Sequence, residues 1–173
     1  HNYDPTPQDI IKIQNCDLFI YVGGESDEWV KDILESDNSK PKKIISLMDC
    51  VDTVQEEIVE GMEQDKDEDD DSHKIEYDEH VWTSPKNATI ISKKISSALI
   101  ELDKDNEKTY EKNTMEYCQK LSLLDSKFQN IVDNAKRKTI IFGDRFPMRY
   151  FADEYGLKYY AAFPGCSSET EPS

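Results

Sequence analysis

A long segment whose apolar residues recur at alternating intervals of four and three residues places the strongest constraint on the fold. Residues at this spacing share one face of a helix, here for about seven turns. A helix over 105–134 would be about 45 Å long at 1.5 Å per residue, longer than the usual helix of a globular domain. We predict a long connecting helix that packs along two lobes; a coiled coil is the alternative, although the charges show no clear e and g pattern. The apolar face consists of Tyr110, Thr114, Tyr117, Leu121, Leu124, Phe128, Ile131 and Ala135.

Helices and strands alternate on both sides of this segment. Before it, apolar runs at 17–22 and 43–47 indicate buried strands, with a helix predicted between them at 27–34. Such alternation is typical of an α/β fold with parallel sheets. After the segment, the same order returns as a predicted strand over 138–142, a helix over 147–155 and a strand over 157–163.

The alternation divides the chain into two lobes joined by the long helix. We predict an N-terminal α/β lobe over 1–104, the helix over 105–135 and the start of a C-terminal α/β lobe over 136–173. Two strands and one helix do not complete an α/β layer, so we expect the second lobe to continue beyond Ser173. The chain begins with His1 rather than Met, so we expect His1 to be an internal residue of a longer precursor or a processed end.

Negative charge is concentrated in one segment. The formal net charge is −16, from 37 acidic and 21 basic residues, and 63–80 holds ten acids but only two bases. This segment repels itself and cannot bury apolar surface, so we predict an acidic flexible loop over 63–79 that collects cations weakly. The excess of acids argues against nucleic-acid binding, which needs clustered Lys and Arg. No run of 18 apolar residues indicates a membrane span.

The four cysteines are widely separated. Cys16, Cys50, Cys118 and Cys166 form no C-x-x-C pair, which argues against a structural zinc ribbon. We expect free and mostly buried thiols.

Two of the three histidines occupy matching positions. His1 precedes the helix start Thr6-Pro7, and His80 precedes the helix start Ser84-Pro85. Loops at one edge of an α/β sheet are where such folds usually bind ligands, so the pair suits metal ligation. Taken alone, the pattern also fits two ordinary loop histidines.

The segments around these histidines resemble a known family. Residues 1–7, H-N-Y-D-P-T-P, resemble the H-x-Y-x-P-T-P segment of the solute-binding proteins of bacterial zinc and manganese ABC importers. Residues 78–85, D-E-H-V-W-T-S-P, resemble the family's D-P-H-V-W-L-S-P. Residues 150–157 resemble its Y-F-A-x-x-Y-G-L, and 171–173 its E-P-S. The order and spacing match over essentially all of the chain.

The resemblance implies a truncated two-lobed solute-binding protein with a metal in the cleft between the lobes. The cargo would be Zn²⁺, with Mn²⁺ as the alternative, handed to the membrane permease of an ABC importer. The location would be extracytoplasmic, as a cell-surface lipoprotein or in the periplasm of a bacterium. Any membrane association would come only from a lipid anchor outside this chain. The resemblance implies a receptor and not an enzyme.

The resemblance also implies metal ligands, residue by residue. His1 and His80 match the first two ligands of the family. The third position aligns with Arg145, which has no lone pair to offer, so Asp144, Cys166 or Glu169 would have to replace it. The fourth ligand, a carboxylate, would lie beyond Ser173. We predict a ligand set of His1, His80, Asp144 and Glu169.

Two other functions compete with the receptor. A hydrolytic metalloenzyme would need a general base, for which Glu79 beside His80 is the candidate, but the sequence contains no H-E-x-x-H. An adhesin-like surface protein with a degenerate cleft would use the acidic loop to meet a basic partner.

Overall fold

The computed structural model describes residues 3–35, 41–57, 59, 76–163 and 165. Short 3₁₀ turns precede the helices α2, α3 and α4. In chain order the described elements are α1 (Pro7–Asn15), β1 (Leu18–Tyr21), α2 (Glu28–Glu35), β2 (Lys43–Ser46), α3 (Pro85–Leu102), α4 (Glu107–Asp133), β3 (Thr139–Arg145), α5 (Arg149–Glu154) and β4 (Lys158–Phe163).

The first α/β unit contains a two-stranded parallel sheet. Strands β1 and β2 pair from Leu18 opposite Lys43 to Tyr21 opposite Ser46, and α2 lies between them in sequence. Helix α1 begins with a capping box, in which the Thr6 side chain accepts a hydrogen bond from the Asp9 N–H. The predicted strand–helix–strand order is therefore present in this unit.

The second α/β unit repeats this arrangement. Strands β3 and β4 are parallel, with Thr139 opposite Lys158, and α5 connects them. Gly156 follows α5 with a φ of 61°, the left-handed conformation that commonly ends a helix. Together the two units confirm the prediction of an α/β fold with parallel sheets and a long helix; the lobe boundaries at 104 and 135 stay a prediction.

The long helix is present, but its packed face differs from the predicted one. Helix α4 has 27 residues, close to the predicted span, and it packs against α3. Three predicted core positions, Tyr117, Leu124 and Ile131, are exposed. The packed face instead follows the 3.6-residue period of a straight helix rather than the 3.5 of a heptad. Its members are Tyr110, Thr114, Cys118, Leu121, Asp125, Phe128, Val132 and Ala135.

One hydrophobic cluster joins the two α/β units. Tyr150, on α5 of the second unit, packs with Val81 and Ile91 near the start of α3. Phe146, Ala152, Tyr159 and Ala161 form a separate cluster within the second unit. The start of α3, which follows His80, is therefore fixed by side chains from both halves of the chain.

The predicted acidic loop lies largely outside the described residues, but its base is described. Gln55 and Tyr77 form an antiparallel bridge, and the Glu56 N–H donates to the Glu76 carbonyl at 2.9 Å. These contacts bring the two ends of the acidic segment together directly before Asp78.

Neither the cysteines nor the helices add a further structural element. Cys16, Cys50 and Cys118 are free and half-buried, which confirms free thiols but not full burial, and Cys166 lies outside the described residues. Among the described helices, none has the length and apolar character needed to cross a bilayer.

Candidate metal centre

His80 lies in a turn whose shape is fixed by its own sequence. It immediately precedes the 3₁₀ turn Val81–Thr83, and the Thr83 hydroxyl donates to the His80 carbonyl at 2.8 Å. Ser84 then caps α3 by accepting the Asn87 N–H at 3.3 Å, and Pro85 occupies the first helical position. The imidazole is therefore held on a short turn against the start of a long helix, with 8% of the residue exposed.

Asp78 sets the orientation of the His80 ring. Its Oδ1 atom accepts the His80 backbone N–H at 2.7 Å and lies 3.1 Å from the ring Nδ1. Because a carboxylate only accepts, Nδ1 carries the hydrogen and the lone pair of the neutral ring lies on Nε2. A carboxylate behind one ring nitrogen is the usual partner of a metal-ligating histidine. Asp78 is almost fully buried, with 1% exposed.

Glu79 lies against a different part of the molecule. Its Oε1 atom accepts the Ser26 N–H at 2.9 Å, next to Gly24. The carboxylate that the metalloenzyme hypothesis assigned as a base is thus held against the turn before α2. This contact anchors the His80 turn to the first α/β unit.

The segment that follows His1 docks on the same helix start. The Tyr3 ring lies 5.4 Å from that of Trp29 on α2, and its hydroxyl donates to Asp9 at 2.9 Å. Hydrogen bonds from Thr6 and Tyr3 lower the pKa of Asp9 to about 2. Trp29 lies one helical turn from Ser26, so both histidine-bearing segments pack on the beginning of α2. His1 itself lies outside the described residues.

The Gly23-Gly24 turn holds a carboxylate of the protein itself. Both glycines have positive φ, and the N–H groups of Val22 and Gly23 each donate to Asp27 Oδ2 at 2.9 Å. Such paired N–H groups after a strand can hold a phosphate. Here Asp27 occupies that position, as expected of a structural turn.

Asp144 differs from its predicted position. The sequence placed it just after a strand over 138–142, whereas β3 continues through Asp144 to Arg145. The continuation arises because Arg145 pairs with Phe163 after an irregularity that follows Phe142. Asp144 is exposed, and its Oδ1 atom accepts the Arg145 backbone N–H at 2.8 Å.

The loop after β4 reaches the Asp78 carboxylate. A Cβ at Gly165 would lie 3.2 Å from Asp78 Oδ2 and 2.7 Å from the Phe146 carbonyl. The ends of β3 and β4 therefore meet the turn that carries His80. Cys166 and Glu169 follow directly but lie outside the described residues.

The described residues contain only part of the predicted ligand set. Among them, no group of three or more His, Cys, Asp or Glu side chains has the arrangement needed to hold a metal ion. Of the four predicted ligands, His80 and Asp144 are described, and His1 and Glu169 are not. The sequence assigned no role to Asp78 or Tyr150, although both belong to the segments that carry the resemblance.

Comparison with known proteins identifies the family. The family model described as zinc-uptake complex component A, periplasmic (ZnuA), matches residues 1–173. The zinc-binding lipoprotein AdcA of Streptococcus pneumoniae serotype 4 is 33% identical, over 100% of this chain and 34% of its own length. The high-affinity zinc uptake system protein ZnuA of Bacillus subtilis is 34% identical, over 100% of this chain and 53% of its own length.

A third relative carries a different metal in its name. The iron ABC transporter substrate-binding lipoprotein MtsA of Streptococcus pyogenes serotype M1 is 32% identical, over 91% of this chain and 49% of its own length. The chain thus spans between a third and about half of the length of these curated relatives.

Solved structures show the same fold. Zn(II)-bound AdcA from Streptococcus pneumoniae aligns with a TM-score of 0.74 and 29% identity, over 100% of this chain and 34% of that chain. An Mn-bound periplasmic metal binding protein from Candidatus Liberibacter asiaticus aligns with a TM-score of 0.75 and 28% identity, over 100% and 59%. The chain therefore belongs to the ZnuA family of zinc-uptake components, as its histidine-bearing segments predicted.

Proposed function

We propose that this chain is the metal-binding part of a receptor that captures Zn²⁺ for an ABC importer. The observation that carries the proposal is the Asp78–His80 pair, in which a buried carboxylate fixes the ring and leaves Nε2 as the ligating nitrogen. The turn that holds the pair contacts both α/β units, through Glu79 on one side and Gly165 on the other. A metal at His80 would therefore lie where the two units meet.

The cargo we assign is zinc. Neutral imidazole is a good ligand for Zn²⁺, whereas sites rich in oxygen favour Mn²⁺. Two of the relatives above are named for zinc and one for iron, so Mn²⁺ is kept as the alternative cargo.

The ligand set we propose is His1 and His80, completed by oxygen from Asp144 or Glu169. Arg145 occupies the position of a third ligand and cannot coordinate a metal. The docking of the Tyr3 segment and of Glu79 on the start of α2 supports bringing His1 and His80 together.

The proposed role is capture and delivery without catalysis. The relatives named as lipoproteins support an extracytoplasmic location, at the cell surface or in the periplasm of a bacterium. The proposed partner is the membrane permease of an ABC importer, to which the receptor passes its metal.

Zinc titration of three single variants tests this proposal. We expect His80→Ala and His1→Ala each to weaken zinc binding at least tenfold in a competition assay with a chromogenic chelator. His73→Ala is the matched control, since this histidine lies in the acidic segment outside both motifs, and it should change the affinity less than twofold. Equal affinity in all three variants would overturn the proposal.

A further inference from the structure

The Tyr150 hydroxyl links the second α/β unit to the turn that carries His80. Tyr150 lies on α5 and is buried, with 3% exposed. Its hydroxyl donates to the Asp78 carbonyl at 2.6 Å and accepts the Val54 N–H at 3.2 Å. One oxygen atom therefore bonds to both chain segments at the base of the acidic loop.

These bonds form a closed ring around Asp78. The Asp78 N–H donates to the Val54 carbonyl at 3.0 Å, so the two segments are joined directly and also through the hydroxyl of Tyr150. The side chain of the same aspartate holds the His80 ring. The backbone position of Asp78, and with it the direction of the imidazole, thus depends on a residue of the other unit.

We infer that Tyr150 is a positioning residue for zinc binding at His80. It acts through Asp78 and does not touch the metal, and this inference rests on the proposed function. Removal of its hydroxyl leaves the buried Asp78 carbonyl and Val54 N–H each without one partner, so the turn must shift to satisfy them. Loss of a hydrogen-bonded support behind a metal ligand typically weakens metal binding 10–100-fold.

Tyr150→Phe removes only this oxygen and provides the test. We expect zinc binding to weaken about tenfold. In the metal-free variant, the ¹⁵N signals of the His80 ring should shift away from the state with the hydrogen on Nδ1. Tyr159→Phe is the matched control, because Tyr159 is also buried in the second unit but its hydroxyl accepts a hydrogen bond from Arg149. The control should change affinity less than twofold and leave the His80 signals in place.

A double-variant cycle separates positioning from a general loss of stability. If Tyr150 acts through Asp78, Tyr150→Phe should add less than a twofold loss in an Asp78→Asn background. Losses that multiply would overturn the inference, as would wild-type zinc affinity in Tyr150→Phe. Failure of the proposed function gives a different result, in which the wild-type chain binds no zinc although Tyr150→Phe still shifts the His80 ring signals.

Discussion

The carboxylate of Asp78 holds His80 at two points, accepting its backbone N–H at 2.7 Å and facing its ring Nδ1 at 3.1 Å. A single buried oxygen atom therefore fixes both the backbone and the ring of the candidate ligand. The acidic residue two positions before the histidine is consequently a functional part of the D-E-H segment.

Asp78→Asn should weaken zinc binding at least tenfold. The amide oxygen is a weaker acceptor than a carboxylate, and the amide nitrogen favours the opposite ring tautomer, so Nε2 is less available to the metal. Chelator competition measures the change. Asp103→Asn is the control, because that carboxylate accepts hydrogen bonds from Asn106 and Tyr110 in a separate turn. A similar loss in both variants would contradict a specific role for Asp78.

Arg145→His should strengthen zinc binding. Arginine offers no lone pair, whereas a histidine at the position of the missing third ligand supplies one. We expect a tighter dissociation constant by calorimetry, and Arg137→His, which adds a histidine at an exposed position elsewhere, should leave it unchanged. If neither substitution alters the affinity, position 145 does not face the metal.

Gly24→Ala should destabilise the fold by about 1–3 kcal/mol in chemical denaturation. Gly24 has a φ of 83°, and a Cβ there would overlap the Glu79 carboxylate. Gly143→Ala is the matched control, because a Cβ at Gly143 meets no atom within 4 Å. Comparable destabilisation by the two substitutions would show that the Glu79 contact contributes nothing.

The pKa of Asp9 gives a test at the segment that follows His1. Hydrogen bonds from Thr6 and Tyr3 lower this pKa to about 2, from an ordinary value of 3.8. Because the folded value is the lower one, the stabilisation is complete above the ordinary value and is lost as the pH falls towards 2. A carboxylate titration by NMR should show this, and Thr6→Val should raise the pKa while Thr6→Ser retains it. An ordinary pKa in the unchanged chain would contradict the capping arrangement.

Local sequence signals predicted most of the helices and strands. The caps at Thr6 and Ser84 and the apolar runs of β1 and β2 act over a few residues, so they can be read directly. The packed face of α4 was partly wrong, because only the tertiary contacts decide between neighbouring helical positions. Asp125 lies on that face since its carboxylate accepts the Tyr155 hydroxyl at 2.8 Å.

The candidate site was predictable only in part. His80 stood out because of its position before a capped helix and its motif. Asp144 was placed outside its strand because the irregularity that brings Arg145 opposite Phe163 leaves no local signal. The bond from Tyr150 to the Asp78 carbonyl joins residues 72 positions apart, so no sequence pattern within one segment could reveal it.

Isothermal titration of the metal-stripped chain with Zn²⁺ tests the central claim most directly. It should be run in two buffers of different ionisation enthalpy and at two salt concentrations. The account predicts one zinc per chain, a dissociation constant of about 1 μM or below, and proton release as the ligands lose their hydrogens. Weak binding of several ions that disappears at high salt would contradict it, because such binding is the behaviour of the acidic segment alone.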